Sequence, residues 1–361
     1  MSSAQRDKEK LAVYALTMPG RLVAEKIVQG LGAELFLTER LSVQSQLPNK
    51  TMKGICGKLS ETWDNYSGHI IIAATGLVVR AICPYIKDKK SDPAVVTLGQ
   101  DGRYVISLLS GHLGGGNELA KKVALVTGGI PIINTATDIA SKPAMEVLAR
   151  DLGLIIEDFG PLAAVSRELS EGAKVPVYDP HGFLLPHLTA WEESFPPLES
   201  TEELLSISQE DKQVPFIYVD YIVRPLAPGA LVIRPPALAV GMGCHHSVEL
   251  NDLKSLLFDT LGEFNLSPLS LSVISTAEIR GSEPAILELS RVLDRPLVVQ
   301  PMDSLAEVET PNPSDTVFKR IGVFSVCEAA AQLAARMGPI LVPKRKNKKA
   351  TCAIALMNYS S

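Results

Sequence analysis

The chain has 361 residues, enough for two or three domains at roughly 100–200 residues each, and 46% apolar with 21% charged residues is an ordinary globular composition. A formal net charge of −5 and only 9 Phe, 8 Tyr and 2 Trp exclude a general nucleic-acid binder, which needs a basic face and stacking platforms. No charge-free run reaches the roughly 18 residues of a membrane span, residues 1–10 are charged and unlike a secretory signal, and five scattered cysteines without a C-x-x-C suggest neither a disulfide framework nor a zinc site, so a cytoplasmic protein without a membrane or metal site is expected.

Short β-branched runs alternate with helical stretches, the pattern of α/β domains. Leu11–Thr17 reads as a strand, Pro19 and Gly20 open a helix through Leu31, and Ala33–Leu37 reads as a second strand. Residues 38–60 carry a weak, mixed pattern. The nearly continuous apolar run 68–74 fits a buried central strand, followed by a helix from Leu77 to about Ile86. Ala94–Leu98 and Tyr104–Leu109 form a strand pair across Gly99-Gln100-Asp101-Gly102. Gly111–Gly116 is a glycine-rich loop, with a helix from Asn117 to about Val126, a strand at Ile130–Thr135 and a helix at Lys142–Leu152. Pro176, Pro180, Pro186, Pro196, Pro197, Pro215 and Pro225 and an acidic stretch weaken the pattern over 153–235, where Val175–Tyr178 and Phe216–Val223 remain strand-like. A strand restarts at Ala237–Val240, then the glycines of Gly241-Met242-Gly243-Cys244 turn into a helix ending near Gly262. Leu271–Ser275, Leu297–Gln300 and Thr351–Leu356 read as strands and Ser325–Met337 as a helix. The expected architecture is α/β: three-layer domains, each a sheet flanked by helices, at 1–138 and 237–361, joined by a smaller middle domain at 139–236.

Four segments carry candidate chemistry. In Ser107–Glu118 a strand ends, glycines let the backbone approach a ligand, and a helix begins whose free N–H groups favour an anion. The bland alternative is a tight turn with Asn117 as N-cap. The phosphate-loop spacing is absent. Ser110 and His112 suggest a nucleophile–base pair, but no G-x-S-x-G elbow surrounds the serine; general acid–base work by His112 is the sharper expectation. Second, Arg80 sits in an apolar segment, where an arginine meets a protein or ligand carboxylate, whereas Lys87, Lys89 and Lys90 also fit a solvated turn. Third, Thr135, Thr137 and Asp138 follow a strand's carboxyl end, the ligand edge of open α/β sheets, although Asp138 equally fits an N-cap. Fourth, Gly241-Met242-Gly243-Cys244-His245-His246 has two of three dinucleotide-fingerprint glycines. Cys244 at a helix start would have a lowered pKa, and a buried structural thiol is the alternative. The basic run 344–349 fits a solvated hairpin.

These residues also carry a resemblance. Gly76-Leu77-Val78-Val79-Arg80 through Asp92-Pro93-Ala94-Val95-Val96, then Val105–Gly115 with Asn117-Glu118-Leu119-Ala120, then Thr135-Ala136-Thr137-Asp138, resemble successive signatures of the cobalamin biosynthesis protein G (CbiG) family. Gly241-Met242-Gly243-Cys244 and Glu278-Ile279-Arg280-Gly281-Ser282-Glu283 are similar to the two motifs of that family's last domain. This chain departs in having His245 and His246 where basic residues are frequent, and Arg280 where lysine is usual. The resemblance implies a cobalt-precorrin-5A hydrolase, which opens a ring-A δ-lactone and releases a two-carbon unit as acetaldehyde to give cobalt-precorrin-5B. It implies His112 or Glu118 as the base, with Ser110 beside them, and oxyanion donors at Gly114–Gly116. Arg80, Lys87 and Arg280 would hold the macrocycle's carboxylate arms, with Gly111, Asn117, Thr135, Thr137, Asp138, Gly243 and Cys244 lining the substrate. Cobalt arrives within the substrate, so no separate cofactor is expected. The implied partners are the macrocycle and neighbouring corrin-pathway enzymes, with no nucleic acid; the oligomeric state stays open. Competing readings are a corrinoid carrier without chemistry and a nucleotide or sugar-phosphate enzyme using the glycine loop.

Overall fold

The computed structural model describes residues 10–88, 91–134, 142–209, 214–312 and 325–359. These divide into two compact units, 1–147 and 148–361.

The first unit contains β1 (Leu11–Ala15), α1 (Met18–Leu31), β2 (Glu34–Thr38), α2 (Glu39–Ser42), β3 (Lys50–Met52), α3 (Ile55–Thr62), β4 (Gly68–Ile72), α4 (Thr75–Ile82), β5 (Ala94–Leu98), β6 (Tyr104–Leu109), α5 (Gly116–Thr127) and β7 (Ile130–Ile132). Local chemistry sets many of the ends. Thr17 caps α1 by accepting from the Gly20 N–H, Pro19 sits in its first turn, and Gly32 closes it in the left-handed region. Helix α4 stops at Ile82, ahead of the expected Ile86, because Pro84 cannot continue it and residues 83–85 tighten into a 3₁₀ turn.

The sheet order is β3-β2-β1-β4-β5-β6-β7. Strands β1 to β5 run parallel, β6 reverses against β5, and β7 follows β6 in parallel. Val13, Leu35, Ile70 and Ile72 pack one face against α1 and α5; Tyr14, Phe36, Ile71 and Val95 pack the other against α3 and α4. This alternation, with every β4 side chain buried, makes three layers. Fully burying an aliphatic side chain such as Ile70 or Ile71 stabilises the fold by about 1.5–3 kcal/mol. The reversal at β6 has a geometric result: the carboxyl ends of β6 and β7 lie at the amino edge of the five parallel strands.

The chain then enters α6 (Met145–Asp151), and the second unit continues with β8 (Ile155–Ile156), α7 (Leu162–Ser170), β9 (Val177–Tyr178), α8 (Thr201–Gln209), β10 (Phe216–Val219) and β11 (Ala230–Arg234). Strands β9, β10 and β11 are parallel and β8 closes the sheet antiparallel, in the order β8-β11-β10-β9. A five-stranded sheet follows, β14-β13-β12-β16-β15, built from β12 (Leu238–Cys244), α9 (Leu250–Glu263), β13 (Leu271–Ala277), α10 (Pro284–Leu293), β14 (Leu297–Gln300), α11 (Met302–Ala306), α12 (Val326–Ala334), β15 (Ile340–Lys346) and β16 (Ala350–Leu356). Leu238, Val240, Met242 and Ile274 face α9 and α10, while Ala239, Val273, Ala353 and Ala355 face α12, again in three layers. Lys344, Arg345 and Lys346 belong to the edge strand β15, where charge discourages further pairing.

One boundary differs in a way that matters for function. Gly241, Met242, Gly243 and Cys244 do not leave the sheet: all four are strand residues paired with β16, and the next helix begins only at Leu250. A Cβ on Gly241 would stand 1.8 Å from the Cys327 carbonyl oxygen, and one on Gly243 would stand 2.7 Å from Thr351 Oγ1. The glycines let α12 and a neighbouring strand approach, rather than opening a ligand loop.

Candidate active site

The glycine-rich loop leaves β6 at the reversed edge and enters α5. Ser110 adopts φ 55°, the left-handed region that costs a non-glycine residue about 1–2 kcal/mol, and its Oγ is buried with no hydrogen-bond partner among the described residues. The glycines admit this turn. A Cβ on Gly114 would lie 2.4 Å from Ser110 Cβ, one on Gly111 2.8 Å from Asn117 Oδ1, and one on Gly116 2.7 Å from the Leu109 carbonyl. Gly115 takes φ 81° as the N-cap of α5.

Three backbone donors at the end of the loop turn back onto the loop itself. Gly115 N–H donates to the His112 carbonyl, Gly116 N–H to that of Ser110 and Asn117 N–H to that of Gly111, each at 2.9 Å. Of the three glycines expected to face an oxyanion, Gly115 and Gly116 are therefore engaged, and Gly114 N–H is the one without a partner among the described residues. Asn117 is buried just inside the helix rather than capping it, since Gly115 holds the cap.

His112 is held by a residue the motifs did not single out. Its Nδ1 lies 3.0 Å from Glu146 Oε1, with 21% and 10% of the two side chains exposed. Glu146 comes from the first turn of α6, between the buried Met145 and Ala149. The signal was a carboxylate on the buried face of an expected helix, a place acids occupy only with a partner. A carboxylate on Nδ1 orients the ring. Glu118 lies on the exposed side of α5, 2.7 Å from Lys121, where it suits the helix start; it is not part of the His112 pair.

The other expected residues fall elsewhere. Arg80 meets no carboxylate among the described residues. Its Nη1 donates to the Gly76 carbonyl at 3.1 Å, which turns the guanidinium toward the start of α4 at the carboxyl edge of β4, the edge opposite the glycine loop. Lys87 reaches Asp64 at 3.6 Å between exposed side chains, a contact worth little. Its backbone N–H donates to both oxygens of the buried Asp92. The Asp92 carbonyl would stand 3.3 Å from a Cβ on Gly114, so Asp92 and the glycine loop share one edge. Thr135, Thr137, Asp138, Lys89 and Lys90 lie outside the described residues, although the chain reaches Asn134 from that same edge.

A second polar cluster marks the carboxyl edge of β12 and β13. Arg280 Nε donates to the Cys244 carbonyl at 2.9 Å and its Nη1 sits 2.8 Å from His246 Nε2. Glu283 accepts from Ser247 N–H at 3.1 Å and lies 3.5 Å from His246 Nδ1. Cys244 is not at a helix start, and its thiol is pushed up to about 11 by burial and by the Glu283 charge, against the pull of Arg280. Of the two readings of Cys244, the structure favours the buried thiol over the activated one. Among the described residues no group of three or more His, Cys, Asp or Glu converges as a metal site, and no helix is long and apolar enough to cross a membrane.

Comparison with known proteins follows these two clusters. The family model for cobalamin synthesis G N-terminal matches residues 58–138, and that for cobalamin synthesis G C-terminus matches 238–355. A cobalt-precorrin-5A hydrolase of Priestia megaterium is 30% identical over 308 residues, covering 83% of this chain and 81% of that protein. One from Salmonella typhimurium is 30% identical over 344 residues, covering 90% and 92%. Among solved structures, a cobalamin biosynthesis protein G homolog from Sulfolobus solfataricus aligns over 99% of this chain and 100% of that one, at 16% identity and a TM-score of 0.36. The first matched segment contains the His112 loop and the second contains the Cys244–Arg280 edge, so the chain belongs to the cobalamin biosynthesis protein G family and has its role in cobalamin biosynthesis.

Proposed function

We propose that this protein is a cobalt-precorrin-5A hydrolase that opens the ring-A δ-lactone and releases acetaldehyde. The observation that carries this reading is the His112–Glu146 pair on a glycine-rich loop. Glu146 orients the imidazole, so that His112 takes a proton from water as the oxygen adds to the lactone carbonyl. Gly114 N–H is the donor available to the oxyanion. The acyl carbon–oxygen bond then breaks, leaving a carboxylate on ring A and a hydroxyl on the two-carbon unit. Loss of that hydroxyl proton forms the aldehyde carbonyl as the carbon–carbon bond to the macrocycle breaks. The electron pair passes to the macrocycle carbon, which receives a proton. Ser110, with its Oγ buried, serves as the strained pivot of the loop, and cobalt stays with the substrate throughout.

Within the second unit, Arg280 and His246, supported by Glu283, carry donors of the kind that hold carboxylates. The test is anaerobic incubation of purified protein with cobalt-precorrin-5A, with acetaldehyde followed by NADH-coupled alcohol dehydrogenase. Release above a control without protein, with a corrinoid of the expected lower mass, supports the hydrolase. Binding without acetaldehyde refutes it in favour of a carrier.

A further inference from the structure

Between the two segments matched by family models lies the sheet β8-β11-β10-β9, whose three parallel strands end at one edge. Each delivers a polar residue there. Past β9, Asp179 accepts from the backbone N–H groups of Phe183, Leu184 and Leu185 at 2.7–3.0 Å and so shapes the loop that carries His181. Past β10, Asp220 is 1% exposed and held by the Tyr218 hydroxyl and the Ile222 N–H, both at 3.2 Å. At the end of β11, Arg234 donates to the Asp220 and Ile222 carbonyls and pairs with Glu157 at 2.6 Å.

His181 stands in front of Asp220, its Nε2 3.7 Å from Oδ1, with its ring stacked on Tyr221 and 32% of the side chain exposed. The loop is pinned from below, since Ser267 N–H donates to Tyr221 and Val223 N–H donates to Asn265. Arg224 follows at once. Its charge reaches the Tyr218 hydroxyl, yet its Nε is buried and, among the described residues, has no hydrogen-bond partner. A half-buried guanidinium without an acceptor is costly unless something supplies one. The neighbouring network does not need it, because Arg234 already satisfies the carbonyls and Glu157.

We infer that this edge is a carboxylate-binding subsite: the Arg224 guanidinium receives the anion and His181, backed by Asp220, is the second donor. Carboxyl ends of parallel strands are where α/β sheets take ligands, and a planar guanidinium matches a carboxylate bidentately. The bearer of the carboxylate is an acetate or propionate arm of the corrinoid; that identity alone rests on the hydrolase reading above.

Two probes separate the claims: tricarballylate, a simple polycarboxylate, and cobyrinic acid, a stable cobalt corrin carrying carboxylate arms. Titration of the full chain by calorimetry, with Arg224→Ala, Arg224→Lys and His181→Asn, measures the subsite, and Arg103→Ala, an exposed arginine of the first unit, is the control. We expect Kd for cobyrinic acid to rise about tenfold or more in Arg224→Ala and less in Arg224→Lys and His181→Asn. The melting temperature of Arg224→Ala without ligand should equal or exceed wild type, whereas a merely structural arginine would lower it. Equal Kd values in wild type and Arg224→Ala overturn the subsite and leave the hydrolase reading standing. Arg224-dependent binding of tricarballylate without cobyrinic acid binding keeps the subsite and refutes the corrinoid arm as its ligand. No binding of either probe overturns both.

Discussion

Residues 110–116 and 241–247 look alike as strings: a β-strand, glycines, a histidine, then a helix. In space they are opposites. In the first, glycines with a left-handed Gly115 fold a loop that carries His112 onto Glu146. In the second, Gly241 and Gly243 never leave the strand, and their missing side chains make room for α12 and β16. What separates Gly115 from Gly241 is the neighbour, for Gly111, Gly114 and Gly116 are as tightly enclosed as the glycines of the strand. A glycine facing a helix backbone is a packing device, while a glycine with nothing near its Cβ position is a conformational one.

That contrast can be broken or sharpened by experiment. The largest effect belongs to His112→Ala, which should lower turnover about 10²- to 10⁴-fold with the fold intact; wild-type turnover would remove His112 from the chemistry. Gly241→Ala comes next. It places a methyl group against the Cys327 carbonyl, and thermal unfolding should show a loss of about 3 kcal/mol. An unchanged melting temperature there means the strand and α12 are not so close. Glu146→Gln should cost about ten- to a hundredfold in kcat with little change in stability, as for a group that orients another; a fall in stability without a fall in kcat would make Glu146 a packing residue.

Gly115→Ala should cost only about 1–2 kcal/mol, because a Cβ there meets nothing and the penalty is the positive φ alone. A loss as large as that of Gly241→Ala would erase the distinction drawn here. The smallest effect concerns thiols. Cys244 and Cys327 are both pushed up to about 11, chiefly by burial, from an ordinary 9.0. The folded chain thus holds protons that the unfolded chain releases, so stability is intact below pH 9 and declines as pH rises from 9 toward 11. Melting scans across that range check it. At pH 8, iodoacetamide should label the exposed Cys56 and Cys83 well before Cys244; rapid labelling of Cys244 would restore the activated-thiol expectation.

Much of the α/β architecture was legible because apolar runs and caps act locally. The nearly continuous apolar run at 68–74 pointed to a strand buried on both faces, and Pro19 and Gly20 marked the start of α1. What escaped depended on distant chain. Strand β12 runs on to Cys244 because β16, more than 100 residues later, pairs with its glycines. The His112–Glu146 pair spans 34 positions and has no spacing rule to announce it. Arg80, read as meeting a protein or a ligand carboxylate, donates to the Gly76 carbonyl in its own helix, a partner available at i−4 on any helix. Arg224 carried no motif at all; only the absence of an acceptor around its buried Nε draws attention to it.

The reversal of direction at β6 has a bearing on motion. The His112 loop follows β6, which pairs with the three-residue edge strand β7, whose side chains are all exposed, while every residue of β4 at the sheet's centre is buried. Edge pairs with few buried contacts open at far lower free energy than central strands. Amide hydrogen exchange should therefore be faster across 130–132 than in 68–72, so that this margin of the sheet opens while the five parallel strands stay shut.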